Sequence, residues 1–362
     1  MAGDSKRIAV LPGDDAAPEA VYPTLDLLRS MELPIEWSLL PNGETLTSTM
    51  TRQEAEALIR TAADSCDALL FGATSGKTPG IGYLRWGKGT FANVRPIRYR
   101  PGFNSPLRNP EGIDYVIVRE NIEDLYLGLE GDLTSLLDSG LDLTSRRPWS
   151  PTMRDKEGRY AIKVITRENT ERVARFACEL ALQRKQRGYP GKLTCAAKYN
   201  VLHHSDGFFR DIVEQVALEY DGITFESFIV DDFARRLVAS PHSLDVVVLP
   251  NLYGDVLSDE GAGTLGGLGL APSGCYGEGW AYFESVHGTA PDIAGQHVIN
   301  PTATMLSAVM LLEYIGLSQA AARLERAIEQ TYADGASLTP DQGGTATADQ
   351  FAAAVRDRLQ VG

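Results

Sequence analysis

Short apolar runs alternate with longer amphipathic stretches through the first part of the chain. Residues 6–11 read as a strand, 18–28 as a helix, 35–40 as a second strand, 52–63 as a second helix and 68–71 as a third strand. Strands alternating with helices are the signature of an α/β fold. Residues 72–90 are rich in glycine, carry Lys77 and Lys88, and read as a loop over a site. Further strands are expected at 115–118, 193–196, 225–230 and 246–249, separated by helical stretches. Residues 170–186 place apolar side chains at helical spacing, and the chain from Pro301 onward is mostly helical. Residues 131–158 are polar and punctuated by Pro and Gly, which suits an arm or clasp rather than core.

Composition narrows the class. A length of 362 residues exceeds the usual single core, so two domains are expected. Hydrophobic content of 43% and charged content of 23% are those of a soluble globular protein. No apolar run reaches about 18 residues and no targeting signal opens the chain, which points to the cytoplasm and away from a membrane. Cys66, Cys178, Cys195 and Cys275 are scattered, with no CxxC and no zinc spacing, so they read as reduced structural thiols. A formal charge of -14 disfavours nucleic acid as a partner. It does not forbid an anionic substrate, because local arginines can reverse the field in one cleft.

The candidate chemistry centres on Asn251-Leu252-Tyr253-Gly254-Asp255-Val256-Leu257-Ser258-Asp259. It puts Asp255 and Asp259 on one face at a helix start, where they repel by about a few tenths of a kcal/mol. A cation between them removes that penalty, and hard oxygen ligands favour Mg²⁺ or Mn²⁺. A solvated acidic helix start is the other reading. Arg85, Arg95 and Arg119 offer guanidinium forks for carboxylates, or are surface ion pairs. Tyr126, seven residues after Arg119, is either a proton donor whose pKa nearby cations lower or an ordinary half-buried tyrosine. Lys198 follows an apolar strand and reads as a base of lowered pKa, or as a snorkelling surface lysine. Asp231 and Asp232 suit a helix N-cap. The GxGxxG match at 261–266 follows a helix rather than a strand and lacks a dinucleotide-binding context. His287-Gly288-Thr289-Ala290-Pro291-Asp292 is the better cofactor segment: small residues allow close backbone approach, and Asp292 suits a ribose diol while repelling a 2′-phosphate.

These residues resemble the β-decarboxylating dehydrogenases, the isocitrate, 3-isopropylmalate, homoisocitrate and D-malate/tartrate enzymes. The resemblance runs from Leu11-Pro12-Gly13-Asp14 nearly to the end. The 251–259 run is similar to the long family signature. Residues 287–295 and Asn300-Pro301-Thr302-Ala303 resemble its cofactor loop, and Phe91-Ala92-Asn93-Val94-Arg95-Pro96 its substrate strand; Arg85 falls ten residues before Arg95, the family spacing. The resemblance implies a two-domain isopropylmalate/isocitrate dehydrogenase-like α/β fold with an interdomain cleft and a dimer clasp arm. Residues 1–103 and 266–362 would form the large cofactor-side domain. Residues 104–265 would form the small dimerisation and metal-site domain, with 131–158 as the arm. It implies that Arg85, Arg95 and Arg119 hold a malate core, and that Asp231, Asp255 and Asp259 bind Mg²⁺ or Mn²⁺. Lys198 takes the C2 hydroxyl proton and Tyr126 protonates the enolate. Lys198 and Asp231 come from the neighbouring subunit of a homodimer. Glu284, His287, Gly288, Thr289, Ala290, Asp292, Asn300 and Asn200 contact the dinucleotide. Members that use NADP commonly carry Lys-Tyr in place of Asp292-Ile293, so NAD is expected.

The chain departs from the pattern twice. Family members read Gly-Asp-Gly-Ile-Gly-Pro-Glu near the start; here Gly13-Asp14-Asp15-Ala16-Ala17-Pro18-Glu19 loses two glycines and adds a charge beside the cofactor cleft. Before Arg85, where isocitrate enzymes carry Ser and Asn and isopropylmalate enzymes carry leucines, it reads Thr78-Pro79-Gly80-Ile81-Gly82-Tyr83-Leu84. Ile81 is apolar, Gly82 leaves room and Tyr83 offers a hydrogen bond, so both residues flanking Gly82 are substrate candidates. Lys77, Lys88 and Arg100 suit a further anion, even a phosphonate, or solvent. The C3 substituent stays open: isocitrate-, homoisocitrate-, isopropylmalate-, D-malate/tartrate-like, or a phosphonate-bearing malate. A reading of another class is a non-catalytic regulatory subunit.

Overall fold

The structure, a computed structural model, describes residues 5–141, 145, 149–150 and 156–361. Among them the strands are β1 (Lys6–Leu11), β2 (Ile35–Leu39), β3 (Ala68–Phe71), β4 (Ala92–Arg98), β5 (Asp114–Glu120), β6 (Glu130–Asp132), β7 (Arg159–Ala161), β8 (Lys192–Ala197), β9 (Thr224–Ile229), β10 (Val246–Leu249), β11 (Pro272–Tyr276) and β12 (Ala281–Ser285). Ten of them make one sheet in the order β2-β1-β3-β12-β11-β4-β5-β10-β8-β9. The wings are parallel and the centre, β12-β11-β4-β5, is antiparallel.

Both faces of β3 and β10 are covered, which is why those strands read as unbroken apolar runs. Ile8 and Val10 join a core on one face while Ala9 and Leu11 join a second core on the other. In β10, Val247 and Leu249 face the first core and Val246 and Val248 a third. The helix Thr302–Tyr314 is apolar almost all round and buried over most of its length, as a helix in the middle of a core must be. Helices Ala17–Ser30 and Ala348–Val361 pack on each other, so segments near both ends share one wing.

The α/β expectation holds, with corrections. The β11–β12 hairpin is missing from the sequence reading, because its small and polar residues (Pro-Ser-Gly, Glu-Ser) interrupt the apolar signal. The expected loop 72–90 contains a helical segment from Ile81 that is π-helical over Tyr83–Gly87. β4 and β5, on either side of the expected division at 103/104, pair along their whole length, so the two parts share one sheet. In the arm segment, β6 pairs antiparallel with β7 and Leu133–Asp138 is helical; residues 142–144, 146–148 and 151–155 of that expectation lie outside the described residues. No helix among the described residues is long and apolar enough to cross a membrane, and the four cysteines are free thiols.

Candidate active site

The site is built on one helix face meeting one strand pair. The run 251–259 opens the helix Asn251–Leu265 directly after β10. Asn251, Asp255, Ser258 and Asp259 stand at i, i+4, i+7 and i+8, a single stripe at helical spacing. That stripe faces β4 and β5, where Asn93 sits opposite Arg119 in register and Arg95 lies two residues along the same face.

The contacts are dense. Arg119, 2% exposed, donates from Nε and Nη2 to Asn251 Oδ1 at 3.0 and 2.7 Å, and from Nη1 to Asp255 Oδ1. Arg95 Nη2 lies 3.1 Å from Asp255 and its Nη1 3.3 Å from Asp259 and 2.6 Å from Ser258 Oγ. Its Nε donates to Asn93 Oδ1 at 2.9 Å. Tyr126, on the 3₁₀ turn Asp124–Leu127, donates its hydroxyl to the other oxygen of Asp255. The Tyr126 ring lies under two guanidiniums, Arg119 at 4.6 Å and Arg85 at 5.4 Å. The buried Arg85 Nε has no partner. Arg95 therefore takes the position between Asp255 and Asp259 that their repulsion calls for.

Electrostatics splits the two aspartates. Burial alone would raise Asp255, but Arg119 and Arg95 outweigh it and hold the carboxyl below its ordinary value. Asp259 is raised, by burial and by its neighbour Asp255 against the pull of Arg95. Tyr126 corrects the sequence reading: its pKa is raised, not lowered, because burial and the bond to Asp255 outweigh Arg119 and Arg85. Glu284 sits near all three arginines, and burial raises its carboxyl in spite of them.

A second group stands apart. Lys198, at the end of β8, pairs through Nζ with Asp231 Oδ1 in the first turn of the helix Val230–Ala239. Ile229, not Asp231, occupies the cap position, and Asp232 pairs with Arg235 and Arg236, so neither aspartate is an N-cap. Asn200 is exposed in the turn after Lys198. No three of His, Cys, Asp and Glu gather around one point among the described residues. Within one chain, Asp255 and Asp259 offer two hard oxygen donors on one helix.

The cofactor candidates line the β12 side. His287 Nδ1 bonds the Gly288 carbonyl at 2.8 Å, and its buried Nε2 has no partner. Burial lowers its pKa, which keeps the ring neutral. Thr289 O accepts the N–H of Ala16 at 3.0 Å. Ala290 is left-handed at φ 47°, and Asp292 is exposed on the 3₁₀ turn Pro291–Ile293. An unpartnered ring nitrogen beside the exposed Gly288 fits a dinucleotide edge. Asn300 is committed within the protein: Oδ1 accepts Thr302 N–H, and Nδ2 donates to Tyr332 and Asp341.

The specificity segment reads differently in three dimensions. Tyr83 donates its hydroxyl to Asp64 at 2.7 Å, outside the arginine cluster. Ile81 packs on the second core. Both line a cleft of about 530 Å³ with Arg60, Thr74 and Gly80 that includes none of the three arginines. Lys77 pairs with Asp15 and Glu44, Lys88 with Asp64, and Arg100 with Glu325 and Glu329. Sequence reasoning missed Asn93, Asn251 and Ser258 as the groups that hold the arginines, although the i, i+7 spacing of Asn251 and Ser258 was there to read. It also missed Asp14, a buried hub whose carboxylate accepts the backbone N–H groups of Ser75, Lys77 and Thr78 and so shapes the glycine-rich loop.

The chain is similar to known proteins over nearly its whole length. The family model for isocitrate/isopropylmalate dehydrogenase matches residues 7–355. The chain is 42% identical over 356 residues to the 3-isopropylmalate/3-methylmalate dehydrogenase of Methanocaldococcus jannaschii, covering 98% of this chain and 99% of that protein. It is 39% identical over 363 residues to the isocitrate/homoisocitrate dehydrogenase of Thermus thermophilus, covering 98% of each. The crystal structure of isocitrate dehydrogenase from Methylococcus capsulatus superposes with a TM-score of 0.81 at 31% identity, covering 98% of this chain and 99% of that one.

Proposed function

Given that the chain belongs to the isocitrate/isopropylmalate dehydrogenase family, we propose that it is an NAD- and divalent-metal-dependent dehydrogenase that oxidises and decarboxylates malate or a 3-substituted malate. The observation that carries the reading is the single helix face, Asn251 to Asp259, that meets Arg95, Arg119 and Tyr126.

Arg85, Arg95 and Arg119 bind the two carboxylates of the malate core; three guanidiniums against two aspartates leave the pocket attractive to an anion. Asp255 and Asp259, with Asp231 of the partner subunit, hold Mg²⁺ or Mn²⁺, which supplies Lewis acidity when bound. Lys198 of the partner subunit takes the C2 hydroxyl proton. The Lys198–Asp231 pair supports this reading, since it holds the two groups side by side on one chain. Tyr126, protonated at neutral pH because its pKa is raised, gives a proton to C3 after CO₂ leaves. His287 to Ala290, Asp292, Glu284, Asn200 and the backbone near Asn300 face NAD, which supplies the hydride acceptor when bound. Residues 1–103 and 266–362 form the cofactor side of the cleft, and 104–265 the dimerisation side. Exposed Val256, beside Asp255 on the helix, suits burial in a homodimer with shared sites.

For the C3 group, the paired states of Lys77, Lys88 and Arg100 and the Tyr83–Asp64 bond favour an uncharged substituent over a third carboxylate or a phosphonate. The test is NADH formation with Mn²⁺ across D-malate, tartrate, isocitrate, homoisocitrate, 3-isopropylmalate and a phosphonomethyl malate. D-malate or 3-isopropylmalate is expected to lead. Turnover of isocitrate or the phosphonate above both overturns the substituent assignment, and no metal-dependent NADH from any of them favours a regulatory subunit instead.

A further inference from the structure

Tyr126 and Lys198 act in different sites of the proposed dimer, yet inside one chain they share a support. Lys163, two residues after β7 and nearly buried, lies 2.6 Å through Nζ from Asp206 Oδ1 and 3.6 Å from Asp124 Oδ1. The same ammonium stands 4.3 Å from the centre of the Tyr253 ring. Both aspartates are fully buried. Asp206 Oδ2 accepts the backbone N–H of Lys198 at 2.7 Å. Asp124 Oδ2 accepts the N–H of Leu252 at 3.1 Å, in the first turn of the helix that carries Asp255. Asp124 also opens the turn that carries Tyr126, with φ at 69° and its N–H given to Val164 O at 3.0 Å.

Buried carboxylates keep their charge only when paired and hydrogen-bonded. One cation here pairs with two, at 2.6 Å from Asp206 and 3.6 Å from Asp124. One carboxylate fixes the strand end that aims Lys198; the other fixes the Tyr126 turn and the start of the carboxylate helix. We propose that Lys163 is a positioning residue for two active sites at once: for Tyr126 in its own chain's site and for Lys198 in the partner's. The inference rests on the shared-site dimer proposed above.

Mixed dimers carrying two affinity tags test it, assayed with NAD, Mn²⁺ and each of D-malate, 3-isopropylmalate and isocitrate. A Tyr126→Phe/Lys198→Ala mixed dimer is expected to regain about half of wild-type turnover, because both lesions fall in one site of a C2 pair. Absence of that recovery, or of any wild-type turnover, overturns the shared-site reading and this inference with it. Given the recovery, a wild-type/Lys163→Met mixed dimer is expected to fall well below half, since the altered chain spoils both sites. Retention of about half overturns the positioning role alone. Lys163→Arg is expected to restore kcat, and Lys163→Met to lower kcat far more than it raises KM, because the two side chains it positions, Tyr126 and Lys198, serve proton transfer rather than substrate binding. Should Lys163→Met fail to enter dimers, Asp124→Asn and Asp206→Asn decide: each homodimer is expected to be impaired and their mixed dimer to regain about half. No recovery there overturns the proposal.

Discussion

Gly254 and Arg119 approach so closely that no side chain fits between them: a Cβ on Gly254 would lie 2.7 Å from both the Cβ and the Cγ of Arg119. The backbone of Arg119 is 3.1 Å away, so the strand cannot easily yield. Gly254→Ala is therefore expected to push Arg119 off Asn251 and Asp255. Overpacking of this kind costs roughly 1–3 kcal/mol of stability. A rise in substrate KM by about tenfold or more should accompany it. An unchanged KM with an unchanged melting temperature would remove the close packing as the reason for glycine in this run.

Cofactor choice should follow Asp292. Its carboxylate is exposed beside the left-handed Ala290, where it favours a ribose diol and repels a 2′-phosphate. The double variant Asp292→Lys with Ile293→Tyr is expected to shift the NADP/NAD ratio of kcat/KM upward by at least about tenfold, a change of roughly 1.4 kcal/mol. Steady-state kinetics with both cofactors decides, and a ratio that stays put excludes Asp292 from the ribose.

Asp15 occupies a left-handed position at φ 53°, at the first of the two places where the family pattern has lost a glycine. Its carboxylate pairs with Lys77, whose ammonium holds its pKa below the ordinary value. The strain of an L-residue there is roughly 1 kcal/mol, which glycine relieves while adding freedom to the unfolded chain. Asp15→Gly should consequently leave the melting temperature nearly unchanged. By removing a negative charge next to the 287–290 loop, it is expected to lower the KM for NAD about threefold or more. A higher KM would mean that the Asp15 bridge shapes the cofactor loop rather than opposing the ligand.

Glu120 should make stability depend on pH. It is 1% exposed, and burial pushes its carboxyl up to about 7 although it accepts the N–H groups of Ile122 and Glu123. An unfolded glutamate titrates near about 4.3. Between those values the folded chain keeps a proton that the unfolded chain has lost, so stability falls as pH rises through this window. The full effect is on the order of 3 kcal/mol. Urea unfolding at pH 5 and pH 8 should show a fall in the wild type that Glu120→Gln reduces. Equal pH slopes in the two proteins would sink the prediction.

The helix stripe was legible because it is local: residues 251, 255, 258 and 259 share a face whatever the rest of the chain does. What the stripe meets was not, because β4, β5 and β10 come together only through sheet order. The contact of Arg95 with Asp259 spans 164 residues. The direction of the Tyr126 pKa was misjudged for the same reason. Neighbouring arginines can be read along the chain, whereas burial and the bond to Asp255 cannot. Tyr83 looked free to meet a substrate until Asp64, nineteen residues earlier, proved to hold its hydroxyl. The β11–β12 hairpin escaped because short strands in mid-sheet need little amphipathic pattern when neighbours cover both sides.

The placement of β12 between β3 and β11 has a consequence for synthesis. The wing β5-β10-β8-β9 is drawn from residues 114–249 and can assemble while the rest is still on the ribosome. The wing β2-β1-β3 has its edge open until residues 281–285 emerge. It must wait as an unpaired edge through most of translation, a state prone to mispairing with other nascent chains. The β4 edge waits nearly as long, for residues 272–276, so chaperone demand in the cell should fall on both wings until the β11–β12 hairpin closes the sheet.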